Sequence, residues 1–200
     1  MKDPKPIEQK TNEGQGVATR PRQAAEHVAH TLREHGFQAY FVGGCVRDLL
    51  RGAEPKDYDV ATDAMPTQVQ ELFPRSLAVG AQFGVVIALE GDHRIEIATF
   101  RNDGLYSDGR RPKEVSFSRD PREDVLRRDF TVNGLLLDPA TGEVLDFVEG
   151  QKDLERRVIR AIGNPERRFE ETTCGCCAPC ALLRAWTMRL TRKPLPPSTA

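Results

Sequence analysis

Two successive glycines, Gly43 and Gly44, join the apolar run Tyr40-Phe41-Val42 to Cys45-Val46-Arg47-Asp48, and Asp57-Tyr58-Asp59 follows nine residues later. Paired glycines allow backbone angles and close approaches that a Cβ forbids, so the stretch reads as a strand over 38–42, a tight turn, and a short helix over 46–51 that ends at Gly52. Asp57 to Thr62 reads as a second strand, with Tyr58 and Val60 on its core side and both aspartates on the other. Two carboxylates at the start of an otherwise apolar strand cost stability unless a cation or donors satisfy them. Beside a glycine turn, they suit a magnesium-bound polyphosphate: oxygen ligands for the ion, and the backbone N–H of Gly44 with the Arg47 guanidinium for the phosphates.

The rest of the chain frames this centre. A helix is expected over 22–35, with Ala25, Val28, Ala29 and Leu32 inward and His27, His30 and His35 solvated or half-buried, before the stop at Gly36. Asp63 is expected near the N-cap of a helix over 67–73 that buries Val69, Leu72 and Phe73. Gly91-Asp92 marks the turn of a hairpin with strands over 85–89 and 94–100. In its second strand Ile95 and Ile97 point one way and Glu96 the other, so Glu96 is a candidate third carboxylate. Periodicity is lost over 101–119, which reads as a loop carrying Arg101, Arg110, Arg111, Lys113 and Arg119, long enough to fold over a polyphosphate or an RNA end. Beyond it, a helix opens at Pro121 with Glu123 and Asp124 in its first turn, and Arg127-Arg128-Asp129-Phe130-Thr131-Val132-Asn133 abuts the apolar Leu135 to Leu137. A second hairpin (135–137 with 144–148), a helix over 151–156 and a strand over 158–162 follow.

Composition excludes some classes. The 200 residues carry a formal charge of -1, so nucleic-acid binding must come from local basic clusters rather than a whole-protein field. No apolar run of about 18 residues offers a membrane span, and the polar N-terminus lacks a secretory signal, so a cytoplasmic address is expected.

Gly43-Gly44-Cys45-Val46-Arg47-Asp48, Asp57-Tyr58-Asp59, the 127–135 stretch and Gly163-Asn164-Pro165-Glu166-Arg167-Arg168-Phe169 together resemble the class II tRNA nucleotidyltransferase and bacterial poly(A) polymerase family, over roughly residues 22–171. The resemblance implies a mixed α/β head of the α+β type, with a small sheet of about five strands and helices packed against it. It implies transfer of CMP and AMP from CTP and ATP to an RNA 3′ end, tRNA first, with no DNA or membrane partner. Asp57, Asp59 and Glu96 would ligate Mg2+ in a two-metal mechanism. Gly43, Gly44, Arg47, Arg127 and Arg128 would meet the nucleotide, and Asp129 and Asn133 would read the ribose hydroxyl. Poly(A) addition, a non-catalytic nucleotide- or RNA-binding remnant, and a phosphatase-like Asp-x-Asp metal protein stand as alternatives; the last leaves Arg127 to Asn133 unexplained.

The expected organisation is a disordered leader (1–21), a head (22–165) and an aberrant tail (166–200). After Glu171 the family continues with a helix of pattern E-D-x-L-R-x-x-R that reads the incoming base, whereas this chain has Cys174, Cys176, Cys177 and Cys180. Their C-x-C-C-x-x-C spacing lacks the two pairs of a structural zinc site. Writing Thr172 to Cys180 as ACC ACC TGC GGA TGC TGC GCG CCG TGC and restoring one G before them gives D-H-L-R-M-L-R-A-V. The single-codon residues Trp186 and Met188 also fit this frame, so the tail reads as a one-base frameshift.

Overall fold

The computed structural model describes residues 20–102 and 116–163 and the backbone of 189–191. Helix α1 (Pro21–Glu34) starts on a proline at its first position and ends before Gly36, which takes φ +86°. It buries Ala24, Ala25, Val28, Ala29 and Leu32. Strand β1 (Ala39–Val42) leads through Gly43 into α2 (Gly44–Leu50), and β2 (Asp59–Thr62) into α3 (Pro66–Leu72). Asp63 is not the cap of α3, a position held by Met65; its carboxylate instead accepts the Gln38 N–H at 2.7 Å and closes the end of β2 onto β1.

Next come β3 (Ser76–Gly80), a 3-10 turn (Ala81–Phe83), β4 (Val85–Glu90) and β5 (His93–Thr99), then the short antiparallel pair β6 (Arg101–Asn102) and β7 (Ser116–Phe117). Most of the loop expected over 101–119 therefore lies outside the described residues. Helix α4 (Pro121–Leu126) is capped by the Asp120 carboxylate on Arg122 N, and is followed by a 3-10 turn (Thr131–Asn133). Strands β8 (Leu135–Leu137) and β9 (Val144–Asp146), helix α5 (Gly150–Glu155) and β10 (Val158–Arg160) complete the domain, and β11 (Arg189–Thr191) pairs parallel with β10. Residues 1–19 of the expected leader and most of the expected tail, with all four of its cysteines, lie outside the described residues, whereas Arg20 and Pro21, assigned to that leader, are the N-cap and first residue of α1.

The main sheet has seven strands rather than about five, in the order β3-β4-β5-β2-β1-β8-β9. The strand that no sequence pattern marks is β3, an edge strand whose Leu77, Ala78 and Val79 are exposed and which lacks buried alternation; β9 falls within the hairpin strand expected over 144–148. All neighbours are antiparallel except β2 and β5, which run parallel. One face packs on α1 and α3 through Phe41, Tyr58, Val60, Ile95 and Ile97. The other packs Val42, Ala61 and Leu136 on Phe100, Val125 and Val148. Because side chains alternate along β2, Asp59 shares the second face with Ala61, and that face carries the site.

Candidate active site

The sequence places the polar centre where three segments converge: the β1–α2 turn, the start of β2, and the stretch from α4 to the 3-10 turn at 131–133. Gly43 sits at φ +71°, ψ −132°, backbone angles that only glycine adopts without strain. A Cβ there would stand 3.8 Å from Arg128 Nη1 and 4.0 Å from Asp59 Oδ2, and one on Gly44 would stand 3.6 Å from Arg47 Nη2. The two glycines thus leave open a space bounded by two guanidinium groups and one carboxylate.

Asp59 opens β2 and pairs in register with Glu96 of β5. Parallel neighbours in register show their side chains on the same face about 5 Å apart. Glu96 is exposed on that face while Ile95 and Ile97 are buried on the other, as the alternation in the sequence predicts. Asp57 departs from the expectation. Strand β2 begins at Asp59, so Asp57 lies in the bend before it, and its approach to Asp59 follows from the turn rather than from strand alternation. Pro55 and Tyr58, both buried, hold that bend.

The carboxylates repel one another. The Asp59 carboxyl is pushed up to about 6, first by burial, then by Glu96, with Asp57 adding to it and Arg128 opposing it. Among the described residues no group of three or more His, Cys, Asp or Glu side chains stands ready-assembled to hold a metal ion. The donor set nevertheless fits a hard divalent cation: it is all oxygen, and its negative charge is under-compensated by the protein.

Arg47 donates from Nε to Asp48 at 3.0 Å and from Nη1 to Asn133 Oδ1 at 3.0 Å, so the second motif is tied directly to the glycine turn. Asp129 is occupied locally: its Oδ1 accepts the Phe130 N–H at 2.7 Å and Asn133 Nδ2 at 3.4 Å. Arg127 and Arg128 both grip Asp124, a carboxylate only 1% exposed. Burial would raise its pKa, but Arg128 and Arg127 overcome that and hold it below the usual carboxylate range. From the sequence, Asp124 reads only as a first-turn acid of α4. The missed signal is its spacing, three and four residues before the arginines, which puts all three on one helical face.

Sequence reasoning also missed Asp153. It is fully buried, accepts Thr131 Oγ1 at 2.8 Å and Arg160 Nη2 at 2.7 Å, and pins the 131–133 turn from below. Gly150 lets α5 approach that turn, since a Cβ there would fall on the Thr131 carbonyl oxygen. On the other side Ile162 N donates to the Asp129 carbonyl at 2.9 Å. Cys45, by contrast, is buried beneath the turn, and burial pushes its thiol up to about 11, so it is packing and not a nucleophile.

A parallel pair carrying adjacent carboxylates, a glycine turn beside it and arginines across the gap define a nucleotidyltransferase head. Residues 39–160 match the poly A polymerase head domain, and the chain belongs to that family. It is 49% identical over 144 residues to a CCA-adding enzyme of Bacillus pumilus, covering 72% of this chain and 36% of that protein. It is 46% identical over 147 residues to one of Enterococcus faecalis, again 36% of that protein's length. The fold is similar to that of the Bacillus stearothermophilus CCA-adding enzyme in complex with CTP, with a TM-score of 0.71, 36% identity, and coverage of 86% of this chain and 41% of that one. A Thermotoga maritima CCA-adding enzyme complexed with tRNA matches with a TM-score of 0.60 and 25% identity, over 84% of this chain and 38% of that one. The chain thus spans little more than a third of the length of the curated relatives it matches. No helix of the described residues is long and apolar enough to cross a membrane.

Proposed function

We propose that this chain is the catalytic head of an RNA 3′-end nucleotidyltransferase that adds CMP and AMP from CTP and ATP to tRNA, in the cytoplasm. The observation that carries the reading is the in-register pairing of Asp59 with Glu96 across from Arg128 and the Gly43–Gly44 turn. Asp57, Asp59 and Glu96 hold Mg2+, which when bound supplies the Lewis acidity and charge neutralisation that phosphoryl transfer needs. The protein's own part is to position. Arg47 and Arg128 flank the triphosphate, Gly43 and Gly44 keep its space clear, and Arg127 secures the second motif. Asp129 and Asn133, already bonded to each other, offer the polar atoms against which a ribose hydroxyl is read. Partial burial of Asp59 at the start of β2 keeps that carboxylate partly dry, which strengthens its hold on a cation.

The base-reading helix that the family resemblance implies after Glu171 is, on this reading, not matched by residues 172–180 of this chain. Residues 1–19 are then a leader, 20–165 the head, and 166–200 a frameshifted start of the next helical unit; a clean open frame through Ala200 in the gene would remove the frameshift. The chain should therefore bind Mg·CTP and Mg·ATP without strong preference between them. Calorimetric titration with each nucleotide, with and without Mg2+, tests this: no binding of either would overturn the proposal, and sequence-correct CCA addition by this chain would overturn the division of labour. The match of residues 39–160 to the poly A polymerase head domain supports poly(A) addition as a second reading. A short tRNA ending in C, offered CTP alone and then ATP alone, separates the two.

A further inference from the structure

We propose that Asp124 is a positioning residue that aims Arg128, and not Arg127, at the phosphates of a bound nucleotide over the Gly43–Gly44 turn. The proposal rests on the nucleotide-binding reading above and deepens it.

The geometry divides the two arginines. Arg127 donates from Nε and Nη2 to Asp124 Oδ1, at 2.8 and 2.6 Å. Arg128 donates from Nε and Nη2 to Oδ2, at 3.2 and 2.8 Å. A guanidinium held through Nε and Nη2 has its plane fixed, and only Nη1 faces away from the carboxylate. For Arg128 that Nη1 is the atom 3.8 Å from where a Gly43 Cβ would stand, on the side where Asp59 Oδ2 also approaches. Asp124 Oδ1 has a further task, accepting the Arg101 N–H at 3.3 Å, so the Arg127 half of the clamp faces the base of β6. One carboxylate oxygen therefore organises the glycine turn and the other the strand that leaves it.

Charge supports this assignment. One buried carboxylate cannot neutralise two guanidinium groups that are themselves only 19% and 17% exposed. A structural ion pair needs one arginine; the second, Arg128, also acts on Asp59 and draws its carboxyl down, so its charge is turned toward the glycine turn and not spent on Asp124 alone. Once a cation occupies the carboxylates, that guanidinium is left to meet a polyanionic ligand in the Cβ-free space. Arg47, with Nη2 at 3.6 Å from the Gly44 Cβ position, bounds that space on its other side.

The test uses inorganic tripolyphosphate with Mg2+ and Mg·ATP as probes of the purified chain, with calorimetry as readout. Asp124→Asn keeps the volume and one acceptor but removes the charge that fixes both planes. It should weaken tripolyphosphate binding about tenfold, equivalent to about 1.4 kcal/mol. In an Arg128→Lys background the same change should have little further effect, while in an Arg127→Lys background it should keep most of its effect. A general structural lesion would carry through both backgrounds equally, and that result overturns the proposal, as does parent-like affinity in Asp124→Asn.

Should Asp124→Asn fail to fold, the parent chain decides. Its arginine side-chain NMR signals should show the Nη groups of Arg128 shifting on addition of tripolyphosphate and those of Arg127 nearly unmoved; the reverse pattern refutes the assignment. If the parent binds neither probe, the nucleotide reading itself fails. If it binds both and only the arginine pattern is absent, this inference alone falls.

Discussion

Replacing Asp59 by asparagine should stabilise the metal-free protein. The Asp59 carboxyl is raised from an ordinary 3.8 to about 6 by burial, Glu96 and Asp57, against the pull of Arg128. A group raised in the folded state is protonated more readily there than in the unfolded chain. Its effect on stability is therefore absent below about pH 4, develops as pH rises to about 6, and is a constant penalty above that. At about 1.36 kcal/mol per pKa unit, the ceiling is about 3 kcal/mol at neutral pH. Partial access of water lowers it, so a gain of about 1 to 3 kcal/mol is expected. For a domain of roughly 130 residues that raises Tm by about 4 to 10 °C.

The assay is thermal or urea unfolding of parent and Asp59→Asn in chelator-treated buffer, from pH 4 to 8. The gap between the two should be largest above pH 6 and close toward pH 4. Adding Mg2+ should raise the midpoint of the parent by mass action, and that of the variant much less. A variant no more stable than the parent at pH 7.5, or a gap that persists unchanged to pH 4, would refute the electrostatic argument.

Asp153→Ala removes the partner of Arg160 inside the protein and the acceptor of Thr131, and should cost about 3 to 5 kcal/mol, read as a lower urea midpoint. Gly43→Ala should cost about 1 to 3 kcal/mol from backbone strain alone, because its Cβ would meet Arg128 and Asp59 only at ordinary contact distances; a neutral result by calorimetry would show that the turn relaxes. Asp124 has its pKa lowered in the fold, so its stabilisation is present above about pH 4 and is lost as pH falls further. Parent and Asp124→Asn should accordingly differ in Tm at pH 7 and converge in strong acid.

Much of this site was legible in the sequence because its determinants are local. Gly43 is required by a single pair of backbone angles, and Glu96 by the alternation of Ile95 and Ile97 around it. The helical stripe of α1 is likewise visible in Ala25, Val28, Ala29 and Leu32. Other features depend on neighbours distant in the chain. That Asp59 stands beside Glu96 follows from a parallel pairing of strands 37 residues apart in register, and no local pattern encodes a partner strand. Asp63 looked like a helix cap because Asp before a proline-started helix is favoured there, yet the Gln38 N–H across the sheet is its stronger claim.

The opening glycine pair and the carboxylates after it were determined by the sequence itself, since backbone freedom and charge are properties of residues wherever they lie. The tertiary structure decided what those groups face. It moved Asp57 off the strand into a bend, gave two arginines to the buried Asp124, and set Asp153 under the Thr131–Asn133 turn. The physical reason is burial. A carboxylate in water needs no particular partner, whereas one enclosed by the fold must be matched by donors, and only the packed chain determines which donors reach it.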